Sequence, residues 1–287
     1  QSHLRAQPVL HADETTVQVL QEPGPKAETQ SYLWLYRTGR DGPPIILYDY
    51  QTTRSGEHPS RFLAGFSGYL HVDGYPGYHK VAGATLVGCW AHARRKFDEA
   101  LKALPPDKRA TAVTAREGLD YCNRLFAIER QIKDAPPEER LRVRTEQSRP
   151  VVEAFSAWLK EKEPQVLTKS KLGEAITYCV SQWEKLVRFL EDGRLELDNN
   201  RSERSIKPVV IGRKNWLFSN TPRGARASAV IYSIIETAKE NGLNPFAYLT
   251  WLFEEMPQLL DLENPQVLDR MLPWSESVPS TCRMVPS

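Results

Sequence analysis

The apolar pattern of this sequence changes period near residue 105, and the change limits the folds open to it. Before that point runs of strand length recur between short helical stretches, and after it they stop. Val9 to Leu20 alternates, with Thr15, Val17 and Val19 on one face, and Pro23, Gly24 and Pro25 read as the turn that closes it. Tyr32 to Arg37 and Ile45 to Tyr50 are apolar and aromatic, separated by Gly39, Gly42 and the Pro43-Pro44 pair. Three consecutive strands with short turns predict an antiparallel meander. A helical pattern over Pro59 to Phe66 follows, then a strand over Tyr69 to Val72 that ends in Asp73-Gly74. A further strand over Thr85 to Trp90 leads into a helix from Ala91 to Leu104, stopped by Pro105-Pro106.

From Asp107 to Leu195 no strand pattern occurs. Helical stretches run over Arg116 to Lys133, Glu138 to Glu163 and Leu172 to Leu190, broken by prolines and Gly173. Farther on, Gly224 to Glu240 predicts a packing helix with Val230, Ile231, Ile234, Ile235 and Ala238 inward and Glu236 as a solvated charge. Asn244-Pro245 opens another helix, to Glu255, and Pro257 ends it. The Ser- and Pro-rich stretch beyond Trp274 reads as loose. With 40% hydrophobic residues in 287, the chain can bury a substantial core as one large domain or two smaller ones.

The chemistry concentrates between Asp198 and Phe218, DNNRSERSIKPVVIGRKNWLF, where Glu203 stands among Arg201, Arg204, Lys207, Arg213 and Lys214. A carboxylate can hold a divalent cation while surrounding cations hold a phosphate chain, a composition suited to cutting or joining nucleic acid. The formal net charge is only +2, so such a surface must come from local segregation of charge. Asn200 and Glu203 also have the spacing of a capping box, in which Glu203 would merely satisfy a backbone donor. Pro208 is expected to end the short helix that carries Glu203. Asp13 on the first strand and Asp73 after the fourth are the other two candidate acids, each with an ordinary turn role as its alternative. Trp216 suits either a stacking platform for an unpaired base or a core anchor. Asn199, one turn before Glu203, is a candidate to orient its carboxylate. His92, Arg94, Arg95 and Lys96 form a second basic group. Cys89 and His92 make one CxxH pair, short of the roughly four ligands of a structural zinc. The cysteines at 89, 122, 179 and 282 have the scatter of reduced thiols. No apolar run approaches the roughly 20 residues that span a bilayer, and the expected location is cytoplasmic, associated with the nucleoid.

HADET around Asp13, VDGYPGY around Asp73, CWAHARRKF from Cys89 to Phe97 and NNRSERSIKPVVIGRKNWLF ending at Phe218 together resemble the catalytic region of DDE transposases of the insertion sequence 66 family. The similarity runs from about His11 to Pro257, with an echo at Leu272 to Trp274. It implies an α/β, ribonuclease-H-like catalytic core, a mixed sheet with flanking helices, interrupted by an all-helical insertion. On that reading residues 8–104 form the first part of the core, 105–197 the insertion, 198–257 the last part and 258–287 a tail. It further implies Asp13, Asp73 and Glu203 as catalytic metal ligands for Mg²⁺ or Mn²⁺, two ions, in DNA strand cleavage and strand transfer. The implied partners are element ends and target DNA, with the protein as a homo-oligomer on DNA. Arg201, Arg204, Lys207, Arg213 and Lys214 are then the expected phosphate contacts, with Asn199 and Trp216 in support. Family members carry an amino-terminal DNA- and zinc-binding region, expected to be absent from this stretch, which opens on Gln1.

Two rivals follow from the same residues. His92-Ala93-Arg94-Arg95 with Tyr232 has the HxxR and tyrosine pattern of metal-independent tyrosine recombinases, although their helical bundles do not fit a strand meander. The other is an inactive or repurposed transposase remnant that only binds DNA.

Overall fold

The computed structural model describes residues 1–22, 30–109, 112–259, 261 and 264–284. The turn expected at Pro23, Gly24 and Pro25 lies outside them. The chain is mixed α/β and divides into two compact units, Gln1–Leu63 with Ser202–Ser287, and Ala64–Arg201.

The first unit opens with α1 (Ser2–Arg5) and the expected meander: β1 (Val9–Gln18), β2 (Gln30–Thr38) and β3 (Ile46–Gln51). All neighbours are antiparallel, with Asp13 opposite Leu35 and His11 opposite Arg37. Residues paired across a sheet share a face, so His11, Asp13, Thr15 and Val17 lie on the face that carries Leu33, Leu35 and Arg37. α2 (Glu57–Phe62) serves the opposite face, where Phe62 stacks on Tyr36 with ring centroids 4.1 Å apart. The Asp13 face is covered by α10 (Asn200–Trp216), whose Ile206 and Val209 join Val17, Val19, Leu33 and Leu35 in one buried cluster.

Contrary to the sequence expectation, α10 continues for two further turns beyond Pro208. Proline removes one amide donor and crowds the preceding turn, freeing carbonyl acceptors there. One carbonyl of that turn, Ser205 O, accepts a hydrogen bond from the Tyr48 hydroxyl. The apolar face on both sides of Pro208 keeps the helix seated.

α11 (Pro222–Glu240) lies along β3, which pairs with β2 on one side only among the described residues. An open strand edge leaves amides without partners, and here side chains of the helix supply them. Ser233 Oγ accepts from Tyr48 N at 2.8 Å, while Thr237 Oγ1 accepts from Ile46 N at 3.0 Å and donates to Ile46 O at 2.9 Å. The buried face of α11 is therefore Ala225, Ala229, Ser233, Glu236, Thr237 and Ala238. This corrects the expectation from its isoleucines: Val230 and Ile231 are exposed, and Glu236 is buried and paired with Lys239 at 2.9 Å.

α12 (Pro245–Glu255) and α13 (Pro265–Asp269) complete the unit. The stretch after Trp274 is not loose. Val278 and Cys282 are buried beside Tyr248 and Leu252, and backbone bonds join Asn244 N to Cys282 O and Met284 N to Gly242 O, both at 2.8 Å.

The second unit contains the parallel pair β4 (Gly68–His71) and β5 (Ala84–Val87). α3 (Trp90–Lys102) follows, then α4 (Pro106–Arg109), α5 (Val113–Gln131), α6 (Pro137–Val143), α7 (Arg149–Lys162), α8 (Lys171–Ser181) and α9 (Trp183–Val187). Trp90 opens α3 rather than closing a strand. The core is aromatic: Trp90, Phe97, Phe155, Trp158 and Phe189 meet in edge and stacked contacts. Gly118 permits this packing, since a Cβ there would lie 2.4 Å from Phe97. Arg144, with a side chain 1% exposed, pairs with Glu129 at 2.7 Å and donates to the carbonyls of Phe189, Asp192 and Leu195. It thereby fixes the loop that leads to α10. No helix among the described residues is long and apolar enough to cross a membrane.

Candidate functional site

Asp13 and Glu203 belong to the first unit and Asp73 to the second. Asp13 is half-buried in mid-strand, and its Oδ1 accepts the Glu14 amide at 2.8 Å. Its neighbour Glu14 points the other way and is taken by Arg54 at 2.5 Å. α10 runs along β1: Ser205 Oγ meets Arg37, the partner of His11, and Arg213 reaches Thr15 and Thr16. Glu203, two residues before Ser205, therefore falls toward the Val9 end of β1, on the helix that covers the face carrying His11 and Asp13.

The helix begins at Asn200, so the expected capping box is displaced. Asp198 is the acceptor instead, taking the Asn200 amide at 2.9 Å and its side-chain Nδ2 at 2.7 Å. Asn199, 2% exposed, precedes the helix and donates its backbone N–H to Cys89 Sγ at 3.2 Å. Burial pushes the Cys89 thiol up to about 12, which keeps it protonated at neutral pH.

Asp73 follows β4 in a turn where its Oδ1 accepts the Tyr75 amide at 2.8 Å. The turn sits against α8 and the start of α9. A Cβ on Gly74 would come within 3.3 Å of Tyr178 and 3.8 Å of Gln182, so the close approach itself favours glycine. Gln182 in turn accepts from Lys185 Nζ at 2.8 Å. Burial lowers the Lys185 ammonium, and the Asp73 charge opposes that shift. Sequence reasoning missed Tyr178, Gln182 and Lys185. They lie more than a hundred residues from Asp73 in a stretch whose helical pattern carries no chemical motif.

The five expected phosphate contacts separate into two groups. Arg201 pairs with Glu196 through two bonds, at 2.8 and 2.9 Å, and Arg213 is tied to β1. Both are structural ties. Arg204, Lys207 and Lys214 are exposed on one side of α10. Trp216 is a core anchor: it packs against the cluster beneath α10, and its Nε1 points to the Tyr232 hydroxyl at 3.4 Å. Tyr232, which also meets Tyr48 edge-on, is therefore a packing residue in this unit.

Residues 1–227 match the sequence pattern of the family described as Transposase IS66 family, and residues 233–274 that of the IS66 C-terminal element. Among curated proteins the chain is similar to three uncharacterized proteins of Sinorhizobium fredii. With y4hP it shares 34% identity over 96% of this chain and 52% of the relative. With y4qI it shares 34% over 93% and 50%, and with y4jD 33% over 95% and 54%. The chain thus spans about half the length of the curated relatives it matches. No solved structure matches.

Proposed function

The chain belongs to the IS66 transposase family, and from that premise we propose that it carries the DDE catalytic region that cleaves and joins DNA strands during transposition of an insertion sequence. The family match over residues 1–227 is the observation that carries this reading. The position of Glu203 on α10, the helix that covers the Asp13 face of β1, supports it.

In this proposal Asp13, Asp73 and Glu203 are the metal ligands. Their donor set is all oxygen, which suits Mg²⁺ or Mn²⁺ rather than zinc. Asp13 and Asp73 are each oriented by one backbone N–H, as expected of carboxylates whose direction matters. Two divalent ions bound there would supply activation of a water or a 3′ hydroxyl and stabilisation of the leaving oxygen. Arg204, Lys207 and Lys214 hold phosphates, and Gln182 and Lys185 line the Asp73 turn. The core is ribonuclease-H-like, and the segment 105–197, in which the described residues form helices but no strand, is its insertion. Element ends and target DNA are the partners, and the protein works as a homo-oligomer on them.

The test is incubation of the purified chain with supercoiled plasmid, with Mn²⁺ and with EDTA. Nicking in Mn²⁺ alone is expected. Nicking in EDTA would favour the tyrosine recombinase chemistry, and DNA binding without nicking in any divalent metal would favour a remnant that only binds. Either result overturns the proposal.

A further inference from the structure

The second basic group of the sequence opens onto a cleft of about 540 Å³ in the second unit, lined by Arg94, Arg95, Asp98, Asn123, Phe126 and Arg130 among others. Ala91 and Asn200 complete the lining. α3 supplies Arg94, Arg95 and Asp98, and α5 supplies Asn123, Phe126 and Arg130. The volume lies within the range of small-molecule sites, about 300–1,000 Å³, so one nucleotide fits where a duplex does not.

The charge in the cleft is uneven. Asp98 is engaged by Lys102 at 2.6 Å. Among the described residues neither Arg94 nor Arg130 has a carboxylate partner. Arg94 is instead held by a neutral group, with its Nε donating to Asn123 Oδ1 at 2.7 Å, which fixes the guanidinium while leaving its charge uncompensated. An exposed arginine held by an amide rather than an acid, as Arg94 is, is suited to phosphate, which guanidinium binds in a planar, two-pronged way. Phe126, half-buried on the same wall, offers an apolar surface beside the cations. A cationic rim with one aromatic wall matches the chemistry of an unpaired nucleotide, with phosphate on the arginines and base against the ring.

We propose that this cleft between α3 and α5 binds an unpaired DNA strand, its phosphates on Arg94 and Arg130 and one base against Phe126. The proposal rests on the DNA-processing reading above and adds to it a single-strand site on α3 and α5. A free nucleotide has the same phosphate and base, but it lacks the neighbouring phosphates that would engage both arginines at once.

The test measures binding of a fluorescent single-stranded oligonucleotide, the same sequence as a blunt duplex, and the corresponding free nucleotide, across a salt series. The full chain is compared with Arg94→Glu/Arg130→Glu, with Phe126→Leu, and with Arg116→Glu, an exposed arginine on α5 outside the cleft. The double variant is expected to lose single-strand affinity at least about tenfold and to flatten the salt slope by about 1.4, that is about 0.7 for each lost phosphate contact. Phe126→Leu keeps the apolar volume and is expected to lose about fivefold or more at unchanged salt slope. Thermal melting of each variant confirms folding. Arg116→Glu and duplex binding should change far less. Equal losses in the double variant and Arg116→Glu would overturn the cleft while leaving the transposase reading in place, as would free nucleotide binding as tightly as the strand. Parent chain that binds no DNA at all would overturn both, and parent chain that binds but fails to nick would overturn only the catalytic reading.

Discussion

Arg37 and Glu240 tie β2 to the end of α11, and removing either partner should have unequal effects. Arg37 is buried, with a side chain 1% exposed, and its guanidinium meets Glu240 at 2.9 and 2.7 Å and Ser205 Oγ on α10. The Glu240 side chain is 38% exposed. Glu240→Ala leaves a buried cation without its carboxylate, which costs about 3–5 kcal/mol. Arg37→Met leaves a carboxylate that can turn to water, so the loss is mainly that of charged hydrogen bonds, about 1–3 kcal/mol. Urea unfolding measures this, because midpoints move in proportion to stability at a slope of about 1–3 kcal/mol per molar. Glu240→Ala should lower the midpoint by about 1 M or more and should exceed Arg37→Met, with the double variant close to Arg37→Met. Equal midpoints for the two single variants, or the reverse order, would refute the claim that burial of the guanidinium controls the cost.

Three further outcomes follow from the geometry. Thr237→Val strands the Ile46 amide at the β3 edge and should cost about 1–3 kcal/mol, whereas the exposed Val230→Thr on the same helix should change stability by less than about 0.5 kcal/mol in the same urea assay. Arg204→Gln, Lys207→Gln and Lys214→Gln should each reduce the salt slope of duplex binding by about 0.9, while Arg201→Gln and Arg213→Gln should lower the melting temperature and leave the slope alone. The Cys89 and Cys122 thiols are both pushed up to about 12 by burial, from an ordinary value of 9.0, so the folded chain holds these protons after the unfolded chain has released them. The stability these two thiols contribute is then fully present below about pH 9 and is lost as pH rises toward the folded value. Urea midpoints of the parent and of Cys89→Ala/Cys122→Ala across that range check this, with a flatter profile expected for the variant.

The meander was legible because an alternating run and two apolar, aromatic runs of strand length are local signals, and β1 to β3 stand where those runs are. The third helix could be read from its charge pattern and the prolines that follow it. What failed to show in the sequence depends on contacts between distant segments. Pro208 predicts a stop, but the Tyr48 hydroxyl and the apolar seat under Ile206 and Val209 carry α10 through it. Glu236 sits among apolar residues at a position that suggests solvent, yet it lies on the buried face of α11, where the exposed Lys239 reaches back to pair with it. The hydroxyls of Ser233 and Thr237 look ordinary in sequence, and their role exists only because an open strand edge lies beside them. Of the candidate site, the basic run was visible as composition. Its division into structural ties and exposed cations was not, because Glu196, Thr15 and Thr16 decide it. The sequence suits Trp216 to either of two roles, and its packing with Tyr232 against the core beneath α10 depends on residues distant in sequence.

In the proposed site Glu203 is a catalytic metal ligand. Plasmid nicking in Mn²⁺ by Glu203→Gln, compared with Asp198→Asn and Glu236→Gln, tests it most directly. Gln keeps the shape of the side chain and any hydrogen bond to the helix terminus while removing the charge that holds a cation. Asp198 caps α10 and Glu236 pairs with Lys239, so changes there should lower the melting temperature and leave the folded chain able to nick. Glu203→Gln is expected to lose nicking at nearly parental melting temperature, and Asp73→Asn to do the same while keeping or slightly raising DNA affinity. Parental nicking by Glu203→Gln, with loss in Asp198→Asn or Glu236→Gln, would contradict that role.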